Sequence, residues 1–176
     1  MTVEALRRGE PEVLADLLEQ FGREIQGVAY LILRDRAAAE DVLMDTLLAA
    51  LDRGSTLRDG AALRRWLLRI ATNLALERQR RFGRVTWLRL MPDLPSGAVD
   101  TTEHVALLQG LIALPVRSRA AVALHYYADL PVAEVAAVMG TSQNTVKAQL
   151  RTGLARLREF LDASAVPAIH AEATNG

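Results

Sequence analysis

A chain of 176 residues, half of them hydrophobic but only 5% aromatic, is rich in alanine and leucine and poor in β-branched clusters, which favours helices over a sheet. It has no cysteine, which excludes disulfides and thiolate metal sites, and its three histidines, His104, His125 and His170, stand too far apart for a metal-binding spacing. The formal charge is zero, no run of about 18 apolar residues can form a membrane span, and the opening MTVEALRRGEPE lacks the apolar core of a signal peptide, so a cytoplasmic protein is the expectation.

Apolar residues three and four apart, among them Val13, Leu17, Phe21, Ile25, Val28 and Ile32, predict a first helix over about 11–33, with Pro11 in its first turn. A second helix is expected over about 37–52, with Val42, Leu43, Leu47, Ala50 and Leu51 inward. The stretch DRGSTLRDG, 52–60, reads as a loop, and a third helix follows over about 61–82. From 84 to 102 the period is lost among two prolines and a Ser-Gly, as in a linker, although Trp87, Leu88, Leu90 and Met91 imply that part of it packs. Helical pattern resumes over about 102–113, breaks at Leu114-Pro115 and continues over about 116–128. The runs PVAEVAAVM and VKAQLRTGLARL close the series, before a small, polar tail from about 163 to 176 that should fray. No internal repeat is evident. The expected fold is all-α, with two small helical domains at 1–83 and 102–162 joined by a linker at 84–101.

The charge is divided unevenly along this layout. Residues 1–54 hold six basic and eleven acidic side chains, whereas 58–84 hold eight arginines against Asp59 and Glu77. Such asymmetry points to separate surfaces for separate partners, one of them nucleic acid; ordinary solvated helix faces are the plainer alternative.

The stretch GTSQNT, 140–145, separates the last two apolar runs. Gly140 suits a left-handed helix exit and Ser142 can cap the next helix. Val146, Leu150, Leu154 and Leu157 are then expected to face inward, with small Ala136 allowing close approach. This is a helix-turn-helix pattern, whose second helix would enter a major groove. Its first turns offer Ser142, Gln143, Asn144, Thr145 and Lys147, residue types that reach phosphates and adenine edges, with Arg151, Arg156 and Arg158 further along. A plain helical hairpin with polar tips is the simpler reading.

On the third helix, Trp66, Leu67, Ile70, Leu74 and Ala71 are expected to form the apolar face. Arg65, Arg69, Asn73, Glu77 and Arg80 recur at helical spacing as a polar stripe suited to a phosphate backbone and one unstacked base. The second helix is acidic instead. Glu40 and Asp41 complement its dipole, but Asp45 and Leu48 lie beyond that explanation and suit a protein partner.

The segments AAAEDVLMDTLLAAL, RRWLLRIATNLALERQRR, ALPVRSRAAVALHYYADL and PVAEVAAVMGTSQNTVKAQL together resemble a bacterial sigma factor of the extracytoplasmic-function group. The resemblance implies a chain that binds the core of RNA polymerase, on the clamp region of the largest subunits, and directs promoter-specific initiation. It implies polymerase contacts through Glu40, Asp41, Asp45 and Leu48. The downstream promoter box would be read as a melted strand by Arg58, Arg65, Arg69, Asn73 and Arg80. The upstream box would be read as duplex by Ser142, Gln143, Asn144, Thr145, Lys147, Gln149 and Arg151. No cofactor, metal or catalysis is implied, and an inhibitory anti-sigma partner is one such factors often have. The chain departs from the family pattern at four places. Met44-Asp45 replaces a Gln-Glu pair, Leu47 an aromatic, Leu57, Leu63 and Arg64 the aromatics before the reading helix, and Gln149 a basic residue. A helix-turn-helix regulator acting without polymerase, or a sigma-like interaction protein that opens no promoter, are the rival readings.

Overall fold

The computed structural model describes residues 3–82 and 102–165, and among the described residues all regular elements are helices. The linker expected at 84–101, with Trp87 to Met91, lies outside them, as does the tail beyond 165.

The first half opens with a short helix that periodicity did not anticipate, α1 (Val3–Arg7). Five residues cannot sustain a helix alone, because nucleation is costly; this turn is held by Leu6, which is buried. Then α2 (Val13–Leu33) begins two residues later than expected, and Pro11 belongs to the preceding turn, where its carbonyl accepts from the Leu14 N–H at 3.1 Å. Arg34 ends α2 in the left-handed region (φ 62°), donating its N–H to the Tyr30 carbonyl. Asp35 then caps α3 (Arg36–Arg53), its carboxylate accepting from the Ala38 N–H at 3.0 Å. Two 3-10 turns, Gly54–Thr56 and Gly60–Ala62, occupy the loop, and the second leads into α4 (Leu63–Phe82).

Helices α2, α3 and α4 pack on one another. Their core joins Leu17, Phe21, Ile25, Val28 and Ile32 to Val42, Leu47 and Ala50 and to Leu63, Leu67, Leu68, Ala71 and Ala75, with Leu6 and Leu57 in the same cluster. The expected apolar face of α4 therefore needs correction. Its buried row runs through Leu67, Leu68, Ala71, Thr72 and Ala75, while Trp66, Ile70 and Leu74 are half-buried at the margin. A helix wedged between two others buries two adjacent rows, and small residues let those neighbours close.

The second half comprises α5 (Thr102–Ala113), α6 (Val116–Val122), α7 (Val132–Met139) and α8 (Gln143–Ala165). Between α6 and α7 the chain widens into a π-turn over Ala123–Tyr127, where 116–128 had read as one regular helix. There the Leu130 N–H donates to the Leu124 carbonyl at 3.1 Å, and His125 Nδ1 bonds the Leu130 carbonyl at 2.7 Å. The inward row of α8 is Val146, Leu150 and Gly153, and Leu154 is exposed, contrary to expectation. A β carbon on Gly153 would lie 3.0 Å from Val122 Cγ2, so glycine lets α6 approach. The halves are in contact: α7 packs on α4, and α6 and the π-turn pack on α2.

Candidate nucleic-acid interface

The helix-turn-helix forms as its residues require. Gly140 leaves α7 at φ 61°, and the Gly140 and Thr141 N–H groups both reach the Ala136 carbonyl. Ser142 Oγ accepts from the Thr145 N–H at 3.1 Å and lies 2.9 Å from Thr145 Oγ1, so both hydroxyls are engaged in capping α8. Val135, Ala136 and Val146 fill the crossing and are all buried. With α8 fixed on this core, Gln143, Asn144, Lys147 and Arg151 project into solvent along one flank. Gln149 is brought elsewhere. It sits half-buried on the other flank, its Oε1 enclosed without a hydrogen-bond partner.

In the first half, Arg65, Arg69, Asn73 and Arg80 form an exposed row along α4. Glu77, which interrupts the stripe, is turned to Arg81. Beside the start of this row lies a cleft of about 310 Å³ walled by loop residues Thr56–Asp59 with Ala62, Arg65, Trp66 and Arg69, and by Ala137 of α7. The loop wall is held from behind. Arg7 Nε donates to the Leu57 carbonyl at 2.8 Å, and Arg7 Nη2 donates to the Arg58 carbonyl at 2.5 Å. The Arg58 side chain remains exposed. Leu57 and Leu63, which stand where aromatics were expected, are core residues. Arg64 turns from the cleft. Its guanidinium grips Glu24 at 3.0 and 2.5 Å and also reaches the Ala128 carbonyl, and the Glu24 hydrogen bond raises its pKa above the ordinary arginine value.

A third surface lies on α3. Asp41, Met44, Asp45 and Leu48 are exposed on one face, with Met44 and Leu48 more than half accessible. Arg78 of α4 lies 3.4 Å from Asp41 and 3.8 Å from Asp45, holding the acidic edge in place. Glu40 stands apart from this patch, bonded to Arg36 at 3.3 Å and to Gln26 at 3.4 Å.

Three surfaces of this chemistry are arranged on a chain whose residues 17–85 match the Sigma-70 region 2 family and 104–157 the Sigma-70 region 4 family. It is 32% identical over 161 residues to the ECF RNA polymerase sigma factor SigM of Mycobacterium tuberculosis, which spans 88% of this chain and 81% of SigM. The chain belongs to the ECF RNA polymerase sigma factors. A second relative is the ECF sigma factor SigW of Bacillus subtilis, 24% identical over 176 residues, covering 90% of this chain and 94% of SigW. The fold is shared with CnrH, solved with the cytosolic domain of CnrY (TM-score 0.67, 23% identity, 92% of this chain and 95% of that one). It is also shared with the sigma factor RpoE of Bartonella quintana, solved with the anti-sigma factor NepR (TM-score 0.67, 22% identity, 84% and 97%).

As an ECF sigma factor the chain directs promoter-specific transcription initiation by RNA polymerase. Sequence reasoning missed Arg7, since nothing in a five-residue helix signals which carbonyls it will meet. It also missed the contact of Tyr127 with Gly27, where a β carbon would overlap the phenol oxygen. The adjacent tyrosines of ALHYYADL, both exposed, were the available signal for a surface with a partner. Among the described residues no helix is long and apolar enough to cross a membrane.

Proposed function

We propose that this sigma factor divides its work among the three surfaces. The exposed face of Asp41, Met44, Asp45 and Leu48 docks on the clamp of the polymerase, to which it offers an acidic and apolar patch. The flank of α8 carrying Gln143, Asn144, Lys147 and Arg151 reads the upstream box in the major groove, where amides pair bidentately with adenine and cations bind phosphate. Ser142 and Thr145 fix the start of that helix, and Gln149 supports it from the other side. The row Arg65, Arg69, Asn73 and Arg80, with Arg58 on the loop, holds the melted strand of the downstream box. One unstacked base enters the cleft beside Arg69, its lost stacking of a few kcal/mol offset by the walls of the cleft.

The observation that carries this reading is the coincidence of an exposed arginine and asparagine row with a cleft of about 310 Å³ at its end. Electrostatic binding of this kind releases counterions and weakens steeply with salt. The polymerase supplies the catalysis, and this chain supplies promoter choice from the cytoplasm. The anti-sigma factor bound to its structural relative RpoE supports a comparable inhibitor here.

Footprinting of the reconstituted holoenzyme on a cognate promoter tests the division. Gln143→Ala with Asn144→Ala should erase protection of the upstream box. Asp45→Lys with Leu48→Ala should remove all protection by preventing docking. Unchanged footprints with either pair would refute the corresponding assignment.

A further inference from the structure

We infer that the N-terminal helix α1 governs which base the downstream cleft accepts. It is a strut behind the cleft loop, and Arg7 is a positioning residue for promoter choice that does not itself touch DNA. This inference rests on the assignment of the cleft to the unstacked base of the downstream box.

The strut is fixed at both of its ends. Gly9 leaves α1 at φ 69°, its N–H donating to the Leu6 carbonyl at 3.1 Å while the Glu10 N–H donates to the Ala5 carbonyl at 3.0 Å, the two bonds that close a Schellman turn. Leu6, 1% exposed, shares the core with Leu57 of the loop. Both glycines of the loop meet the strut. A β carbon on Gly54 would collide with the Leu6 carbonyl, and one on Gly60 would lie 2.9 Å from Val3 Cγ2. Between these two contacts Arg7 donates to the Leu57 and Arg58 carbonyls. The loop is thus backed at 54, 57, 58 and 60, and its cleft wall is Thr56 to Asp59. The strut precedes residues 17–85, the segment that matches the region 2 family.

The two walls of the cleft differ in what holds them. Arg65, Trp66 and Arg69 stand on α4, whose Leu63, Leu67 and Leu68 are in the core. The facing wall is a short loop. It bonds to itself, Thr56 Oγ1 donating to the Arg53 carbonyl at 2.7 Å and Asp59 accepting from the Ala61 N–H at 2.9 Å, and its distance from α4 is set by the strut. When the strut loosens, the row Arg65, Arg69 and Asn73 stays where α4 puts it and still holds the strand. Telling one base from another needs both walls placed to within about 0.5 Å, so base choice is lost first.

The test uses reconstituted holoenzyme containing the full chain. Heparin-resistant open complexes are measured on a cognate promoter and on templates carrying each of the four bases at each downstream-box position. Wild type should favour one base at one position by about five- to 150-fold, the cost of one mismatched pair, and Arg7→Ala should bring that preference down about five-fold or more. The loss should fall on the preferred base, with the other three bases and the upstream footprint little changed. Val3→Ala, which thins the strut at Gly60 without touching either Arg7 bond, should shift the same position in the same direction by a smaller factor. Arg8→Ala, which loses the same charge but only a bond to Glu10, should match wild type. A uniform drop over all four bases, with the preference kept, would overturn the inference and leave α1 a support for stability alone. Arg69→Ala separates this failure from failure of the cleft assignment. If it erases a preference that Arg7→Ala leaves intact, only the strut is wrong; if the preference survives Arg69→Ala as well, the assignment falls with it.

Discussion

Replacing Arg7 by alanine removes the two bonds that hold the cleft loop from behind, to the Leu57 and Arg58 carbonyls at 2.8 and 2.5 Å. Hydrogen bonds from a charged donor contribute about 1.5–3 kcal/mol each when buried. Arg7 is exposed, and solvent screening reduces the pair together to about 1–2 kcal/mol. The loss should be local, because Leu6 and Leu57 stay anchored in the core. The ordered-to-disordered ratio of a loop destabilised by that amount falls about five- to thirty-fold, and promoter opening should fall by up to the same factor. Permanganate reactivity of promoter thymines in the holoenzyme complex measures it, beside the melting temperature and polymerase binding of the variant. The expected pattern is reduced reactivity with binding unchanged, and partial recovery in Arg7→Lys, whose ammonium can reach one carbonyl. Wild-type reactivity in Arg7→Ala, or a loss that merely follows global unfolding, would refute the reasoning.

Other substitutions test the packing. Gly140→Ala should cost about 1–2 kcal/mol in urea unfolding, all of it from backbone strain, since φ is +61° and no atom lies within 4 Å of the added carbon; Gly140→Asn should recover part. Thr72→Val removes a buried hydroxyl that has no partner, and should leave the melting temperature unchanged or raise stability by about 1 kcal/mol. Leu150→Ala should cost about 2–5 kcal/mol, whereas Leu154→Ser should stay within about 0.5 kcal/mol, because Leu150 is buried and Leu154 is 40% exposed. Equal costs at 150 and 154 would place the wrong face of α8 inward.

Helix periods were legible because most helices here bury one face, and GTSQNT was legible because a left-handed exit and a hydroxyl cap demand particular residue types. The exposed sets on α3, α4 and α8 followed from the same periods. What failed shares one cause. Leu154 and Trp66 are placed inward by helical spacing, but which flank of a helix is enclosed is set by neighbours that arrive from elsewhere in the chain. Gly153 faces inward because Val122 is there, and Leu68 rather than Trp66 is enclosed because α4 lies between α2 and α3. The α1 strut and the π-turn are likewise products of tertiary contact, with no period of their own. The seam between the domains joins residues 64 and 128 through one guanidinium, a pairing that no local pattern encodes.

Transcription in vitro with core polymerase and a pool of host promoter fragments, comparing the wild-type chain with Asn73→Ala, tests the central claim most directly. Specific transcripts that depend on the wild-type chain and disappear with Asn73→Ala would establish that the α4 row reads the downstream box. Equal transcripts from both would contradict it, and transcripts from neither, with duplex DNA bound by the chain alone, would contradict initiation itself.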